Sequence, residues 1–337
     1  MPPERPSDGR RRPRLTPPIA VARRAVREHL AALPEGALAL VALSGGPDSL
    51  ALAAAAAFEA PRRGRRAGAI VVDHDLQEGS ADVAERAATQ VRELGLDPVR
   101  VVRVAVGTQG GPEAAARAAR YAAFEDAARE LDAAAVLLGH TMDDQAETVL
   151  LGLARGSGTL SLAGMAEVAG LYRRPLLGLR RAVLAQACAD AGLEPWHDPH
   201  NSEASFARVR VRERVLPVLE AELGPGIAEA LARTAEQLRE DERAFVEQID
   251  EFIEEIVEHA EAGIAVLVGA LSANPAALRQ RILRHVVASE FGVALTRVQT
   301  LEVARLVTEW RGQGPIDLPG GVRATRVGER IIFSAGA

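Results

Sequence analysis

The sequence predicts a doubly wound, mostly parallel α/β sheet followed by a smaller, mainly helical domain that ends in short strands. Three observations carry that reading. Apolar runs of strand length alternate with longer segments of helical character through the first two thirds of the chain. Polar or glycine-rich clusters follow three of those runs, at the carboxyl edge where such sheets bind ligands. Gly224-Pro225-Gly226 then interrupts the chain, and beyond it the pattern is helical until strand-like runs appear near the end. A chain of 337 residues is long enough for two such cores.

The elements follow in order. Apolar residues recur at helical spacing from Ile19 to Leu33, ending at Pro34-Glu35-Gly36, and Ala37–Leu43 is the first strand. Ser49–Ala60 is an Ala/Leu-rich helix, followed by a basic connection, Arg62-Arg63-Gly64-Arg65-Arg66. Ala69–Val72, Val99–Val104 and Ala134–Leu138 are further strands; Gly79–Leu94, Glu113–Leu131 and Asp143–Leu153 are helices. A glycine-interrupted loop spans Leu153–Met165, and a helix is predicted over Arg180–Ala191. Residues 196–201 form a turn-rich break. Ser205–Leu219 alternates Arg with Val like a strand, yet Val211, Val215, Leu216 and Leu219 also fit a helix. Beyond the break, Ile227–Ala260 reads as strongly acidic helix, Pro275–Phe291 and Thr296–Trp310 as helices, and 316–318 and 322–333 as strands. Three segments result: a disordered basic arm at 1–18, the sheet domain at 19–223, and a helical spacer with a C-terminal domain at 224–337.

Composition narrows the function. The net charge of −6 gives no global case for nucleic-acid binding, so any such surface is a local patch. The single cysteine, Cys188, excludes a disulfide framework within the chain and fits a reducing, cytoplasmic setting. No apolar stretch reaches the ~18 residues of a membrane span, and no signal-peptide core is present. One Cys and scattered His give no zinc spacing. The chain has no lysine; all 40 of its Lys-or-Arg residues are Arg.

The chemistry begins at Leu43-Ser44-Gly45-Gly46-Pro47-Asp48-Ser49-Leu50. A strand that breaks here and restarts as a helix leaves N–H groups and a helix dipole facing the break, which is an anion site. Gly45 and Gly46 permit close approach, Pro47 suits a first helical turn, and Ser44 and Ser49 add hydroxyl donors. Asp48 would repel a phosphate unless a cation lay between them, so the set suggests a magnesium–nucleotide site. The same residues also serve as an ordinary helix cap. The loop lacks the Gly-Lys-Ser/Thr of a Walker A motif.

This loop resembles the Ser-Gly-Gly-x-Asp-Ser signature of the N-type ATP pyrophosphatases, the PP-loop family, whose fold is adenine nucleotide alpha hydrolase-like. Gly139-His140-Thr141-Met142-Asp143-Asp144-Gln145-Ala146-Glu147-Thr148 narrows the resemblance to the tRNA(Ile)-lysidine synthetases. Val72-Asp73-His74, Arg117 with Arg120-Tyr121, Arg155-Gly156-Ser157-Gly158, Gly164-Met165, Arg174-Pro175-Leu176-Leu177, Asp198-Pro199-His200-Asn201 and Arg208-Val209-Arg210-Val211-Arg212 support it. Asp75, Thr141, His200 and Val209 depart from the family pattern, which commonly has Gly, His, Ser and Asn there.

The resemblance implies an enzyme using ATP and Mg2+ to join free lysine to C2 of the wobble cytidine of a CAU-anticodon isoleucine tRNA. An adenylated cytidine is the intermediate, and pyrophosphate and AMP leave. It implies nucleotide contacts from Ser44, Gly45, Gly46, Pro47, Asp48, Ser49, Val72 and Asp73, and a metal held through Asp48 or Asp144. Asp48, Arg120, His140 and Asp144 are the expected catalytic residues; Asp143, Glu147, Arg117, Arg174, Arg208 and Arg212 are the expected substrate contacts. RNA would meet Arg62, Arg63, Arg65 and Arg66, Arg173, Arg174, Arg180 and Arg181, and Arg208–Arg214. The acidic helix is expected to act as a spacer or a homodimer surface. Taken alone, each residue has a plainer role: Asp143 and Asp144 suit a helix start, Arg117 and Arg120 a solvated face, Glu147 an exposed turn, and His74 a structural hydrogen bond. The competing functions are a tRNA thiolase and a nucleotide-binding module without catalysis.

Overall fold

The computed structural model describes residues 15–74, 79–105, 107, 111–156, 158–196, 206–260 and 263–335. Residues 1–14 of the expected arm, Asp75, Ser157 and the whole of Asp198-Pro199-His200-Asn201 lie outside the described residues. The chain forms two compact units, which divide within a long helix after Glu236.

The first unit runs α1 (Pro17–Ala31), β1 (Leu38–Leu43), α2 (Pro47–Arg62), β2 (Arg66–Asp73), α3 (Ser80–Glu93), β3 (Val99–Arg103), α4 (Pro112–Glu130), β4 (Ala133–Leu137), α5 (Met142–Ala154), α6 (Thr159–Leu162), β5 (Val168–Ala169), β6 (Tyr172–Arg173), α7 (Arg181–Asp190), α8 (Ala207–Arg210) and α9 (Leu216–Leu223). The sheet order is β3-β2-β1-β4-β6-β5. All neighbours are parallel except β5, which is antiparallel to β6. Strand order therefore reverses between β1 and β4, and the loops leaving those two strands flank the crevice where open sheets of this kind bind ligands.

Both faces of the sheet are covered, which is why its strands read as continuous apolar runs. Ala39, Val41 and Leu43 of β1 pack beneath α1, α2 and α7, with Val26, Leu52 and Leu184 in the same cluster. The alternate residues Leu38 and Leu40 pack on the other face with Phe124, Ala127 and Ala128 of α4. The mostly parallel doubly wound fold is thus present, and its first four strands sit where the pattern predicted. The structure adds the short α6 and two short strands to the expected elements, and it decides the stretch that the sequence left open between strand and helix. The two-residue strands β5 and β6 were not predicted, being too short to carry periodicity. The Arg/Val alternation is helical: α8, a π-helical turn at Val211–Val215 and α9 run without a break, and Val209 is buried.

The second unit takes up the remainder of α10 (Ile227–Ile256), then β7 (Val257–Ala260), β8 (Gly263–Leu267), α11 (Val268–Ala273), α12 (Ala276–Phe291), α13 (Arg297–Thr308), β9 (Ile316–Asp317), β10 (Val322–Val327) and β11 (Arg330–Ala335). Its sheet is antiparallel in the order β7-β8-β11-β10-β9. The helices predicted at 275–291 and 296–310 and the closing strands are present, and the short α11 is an addition to them. The helix predicted to Ala260 stops at Ile256, and Val257–Ala260 and Gly263–Leu267 are strands paired with each other. Ile249, Ile282, Val286, Leu306, Ile331 and Phe333 share the core of this unit.

Candidate active site

The break after β1 is built around Ser49. Its Oγ accepts the Ser44 N–H at 3.2 Å, lies 3.1 Å from Ser44 Oγ and donates to the Gly46 carbonyl at 2.9 Å. Gly45 has φ +79°, which favours glycine, and its carbonyl accepts the Trp196 N–H at 2.9 Å. Gly46 caps α2 and has no side chain of its own to offer the first-turn donors, while its own N–H donates to Ser44 Oγ at 3.4 Å. This is the arrangement that receives an anion.

The break after β4 presses directly against that turn. A Cβ on Gly139 would stand 3.3 Å from both N and Cα of Ser49, a contact tight enough that a side chain there would push the start of α2 away by a few tenths of an ångström. Thr141 then caps α5. Its N–H and its Oγ1 both reach Asp144 Oδ2 at 2.8 Å, and Asp144 N–H returns to Thr141 Oγ1 at 3.2 Å. The plainer role is therefore real for one oxygen of Asp144; the other remains for the site. Gln145 pins the Gly164-Met165 turn through both backbone groups of Met165, at 2.7 and 2.9 Å.

Asp144 Oδ1 faces a cage of alternating charge. Arg181 Nη2 lies 2.8 Å from Asp144 Oδ1 and 3.2 Å from Glu147 Oε1, and its Nε lies 3.5 Å from Asp48 Oδ2. Arg181 N–H also donates to Asp143 Oδ2 at 2.7 Å, and Arg180 pairs with Asp143 at 3.2 Å. Arg212 grips both oxygens of Glu147 at 2.7 and 3.2 Å and reaches Asp144 at 3.6 Å. Arg208 lies 3.7 Å from Glu147 and donates to Thr148 Oγ1. Glu147 has no exposed surface, so it is not the exposed helix residue that its spacing allowed. The Asp-Asp-x-x-Glu spacing puts all three carboxylates at the start of one helix, and the π-turn between α8 and α9 carries Arg212 to them.

The remaining expected residues spread along the rim. Val72 and Asp73 close β2, with Asp73 buried and 3.8 Å from Arg103 Nε. Arg120 Nε donates to His74 Nε2 at 3.2 Å, which puts the proton of the neutral imidazole on Nδ1. Arg117 stacks on Tyr121, 4.7 Å from the ring centre. Arg174 is buried and donates to the Ala166 carbonyl at 2.7 Å.

Burial shapes the titration of this rim. It pushes the Asp48 carboxyl up to about 7, against the pull of Arg181. Burial also acts to raise Asp144, but Arg181 and the Thr141 hydrogen bonds hold it below the usual carboxylate range. His140 is driven down by burial, with Asp144 opposing and Arg174, Arg117 and Arg208 assisting, so its ring is neutral. Asp48 Oδ1, His74 Nδ1 and His140 Nδ1 are buried without a hydrogen-bond partner. An under-compensated buried carboxylate with an orphan oxygen, beside a second carboxylate, fits a hard divalent cation that takes its other ligands from phosphates and water. No cluster of three or more His, Cys, Asp or Glu suited to a metal occurs among the described residues.

Arg181 has partners here that its sequence position does not reveal. Beside Arg180 it reads as a basic patch, and only the fold brings Asp48, Asp144 and Glu147 to it. Cys188 faces the core, and burial raises its thiol to about 11, which disfavours the thiolate. No helix among the described residues is long and apolar enough to cross a membrane.

Comparison with known proteins matches residues 21–219 to a PP-loop domain and residues 267–331 to a TilS substrate binding domain. The chain is 62% identical over 302 residues to a tRNA(Ile)-lysidine synthase of Leifsonia xyli, covering 89% of this chain and 91% of that one. It is 54% identical over 322 residues to the tRNA(Ile)-lysidine synthase of Thermobifida fusca, covering 95% and 98%. Among solved structures it is similar to a U34-tRNA thiolase from Methanococcus maripaludis with its [4Fe-4S] cluster. There the TM-score is 0.57 at 21% identity, covering 66% of this chain and 80% of that one, a likeness of fold.

Proposed function

The chain belongs to the tRNA(Ile)-lysidine synthase family of PP-loop enzymes, and on that premise we propose that it joins free lysine to C2 of the wobble cytidine of CAU-anticodon tRNA(Ile) at the expense of ATP. The observation that carries the reading is the contact of Gly139 with Ser49, which sets two helix starts side by side at the point where strand order reverses.

The reaction asks for two displacements. The cytidine O2 attacks the α-phosphorus of ATP and pyrophosphate leaves; the lysine amine then attacks C2, loses a proton, and AMP leaves with that oxygen. For the first step the α2 amides with Ser44, Gly45, Gly46 and Ser49 bind the phosphates, Pro47 fixes the turn, and Val72 and Asp73 lie beside the nucleoside. Arg120, oriented by His74, stabilises the departing pyrophosphate. Asp48 and Asp144 would hold Mg2+, which when bound supplies Lewis-acid charge at the phosphates.

For the second step, an amine with a pKa of ~10.4 costs roughly 4–5 kcal/mol to neutralise at pH 7. Asp143, Asp144 and Glu147 attract it, and Asp144 and Glu147 are the candidates for holding or deprotonating it. The neutral His140 contacts the activated C2 oxygen. Arg117, Arg174, Arg208 and Arg212 meet the tRNA around a flipped base, as do the Arg62–Arg66 connection and Arg173. Arg180, Arg208 and Arg212 are already paired with carboxylates, so RNA phosphates would share them. The acidic α10 serves as spacer or homodimer surface, and the domain boundary lies near Gly224. A thiolase reading meets a chemical obstacle: a single buried Cys188 cannot ligate an iron–sulfur cluster or carry sulfur.

The test incubates the protein with ATP, labelled lysine and a tRNA(Ile) transcript with a CAU anticodon, then digests the RNA to nucleosides. Labelled lysidine is expected, together with pyrophosphate release that needs both lysine and that tRNA. Pyrophosphate released with a sulfur donor and without lysine would replace the reading with a thiolase.

A further inference from the structure

Arg181 makes contacts that the two displacements do not require. One guanidinium touches Asp48, Asp144 and Glu147, which come from the first turns of α2 and α5. The grip is uneven. Asp144 and Glu147 are hydrogen-bonded to Nη2, whereas Asp48 is only ion-paired at 3.5 Å and keeps Oδ1 buried without a partner. The backbone of Arg181 is anchored, since its N–H donates to Asp143 Oδ2 at the start of α7. Only the guanidinium end is free to move.

We propose that Arg181 is a stand-in cation: in the ligand-free protein it spans the two carboxylates that a divalent ion would bridge, and that ion reaches Asp48 only as Arg181 withdraws from it. The inference rests on the ATP reading above. Asp48, Asp143, Asp144 and Glu147 are each ion-paired with at least one of Arg180, Arg181, Arg208 and Arg212, Arg180 also serving Glu220 and Glu229, so each carboxylate facing Arg181 has a guanidinium to balance it without metal. A divalent ion added to that balance is disfavoured until a triphosphate brings negative charge of its own. Those phosphates give the guanidinium a new partner, while Glu147 remains an anchor for it. Metal binding is thereby made to depend on nucleotide, and an empty site does not collect cations.

The test reads Mn2+ binding by the loss of the free-ion electron paramagnetic resonance signal, with and without α,β-methylene ATP. Without nucleotide, Arg181→Gln is expected to bind Mn2+ about tenfold tighter than wild type, because the competing charge is gone. Arg181→Lys keeps the charge and is expected to stay within about threefold of wild type. Folded Arg181→Gln that binds Mn2+ no more tightly than wild type overturns the proposal. A crystal structure of the wild type with Mn2+ and the analogue decides it without any variant. Mn2+ on Asp48 with Arg181 moved beyond ion-pair distance supports it, and Mn2+ on Asp48 with Arg181 still in place overturns it. Wild type that binds neither the analogue nor Mn2+ overturns the ATP reading and this inference with it; binding of both, with unaltered variants, overturns the inference alone.

Discussion

Gly139 and Ser49 meet with little room for a side chain: a Cβ on Gly139 would stand 3.3 Å from the Ser49 backbone. That contact sets the distance between the turn that receives phosphates and the helix that carries Asp144. Gly139→Ala forces the two apart by a few tenths of an ångström. It is expected to weaken α,β-methylene ATP binding about tenfold while costing ~1–3 kcal/mol of stability. Calorimetric titration and urea unfolding measure the two; unaltered nucleotide affinity would refute the claim that this contact spaces the site.

Asp48 is partly buried, with Oδ1 unpartnered, and only weakly paired, which costs stability in the absence of a cation. Asp48→Asn removes the charge at constant shape. Pyrophosphate release is expected to fall by about three orders of magnitude, while the melting temperature stays the same or rises. A large drop in melting temperature would show that the Arg181 contact outweighs the burial.

Glu147 is held by Arg212 through two bonds and has no exposed surface. Glu147→Gln leaves partly buried guanidiniums short of a counter-charge, at an expected cost of about 1–3 kcal/mol by urea unfolding. The double variant Glu147→Gln with Arg212→Gln is expected to cost less than the sum of the singles. Strict additivity would mean the pair is not coupled.

Away from the site, the buried Glu59 takes two hydrogen bonds from Arg27, at 2.9 and 3.0 Å, and these hold its carboxyl below the ordinary value of 4.5. A depressed carboxyl contributes stability above its unfolded pKa and loses it as pH falls through the folded one. Arg27 is 42% exposed, so solvent screens the pair and roughly 1 kcal/mol is expected. The stability gap between wild type and Glu59→Gln should be present at pH 6 and close below about pH 4. A gap that persists unchanged to pH 3 would contradict the assignment.

In the second unit, Gly263 has φ +151°, and a Cβ there would fall 2.0 Å from the Phe333 carbonyl oxygen. Gly263→Ala is expected to cost about 2–4 kcal/mol by disrupting the β8–β11 pairing. Hydrogen exchange at Ile264 and Phe333 should accelerate; unchanged protection would show that the pairing tolerates the side chain.

What was legible in the sequence follows from length and periodicity. β1, β2 and β4 are long enough, and buried on both sides enough, to read as apolar runs, and the motifs after them mark the carboxyl rim. β5 and β6 pair over two residues each and leave no pattern. Val257-Glu258-His259-Ala260 continues the acidic character of α10, so its turn into a strand is decided by β8 beside it rather than by its own residues. The Arg208–Arg212 stretch shows the limit of alternation: Val209 is buried and Val215 exposed, an order that the helix explains and a strand does not. Arg181 was visible as a charge but not as a partner, because its carboxylates lie far away along the chain.

The cage around Glu147 draws its positive charge wholly from guanidinium, and the polypeptide contains no lysine at any position. Isotopically heavy lysine fed to growing cells therefore never enters this polypeptide during translation. Heavy label found on the purified polypeptide would report a molecule it has bound rather than a residue of its own chain, and it would be read by mass against a blank background.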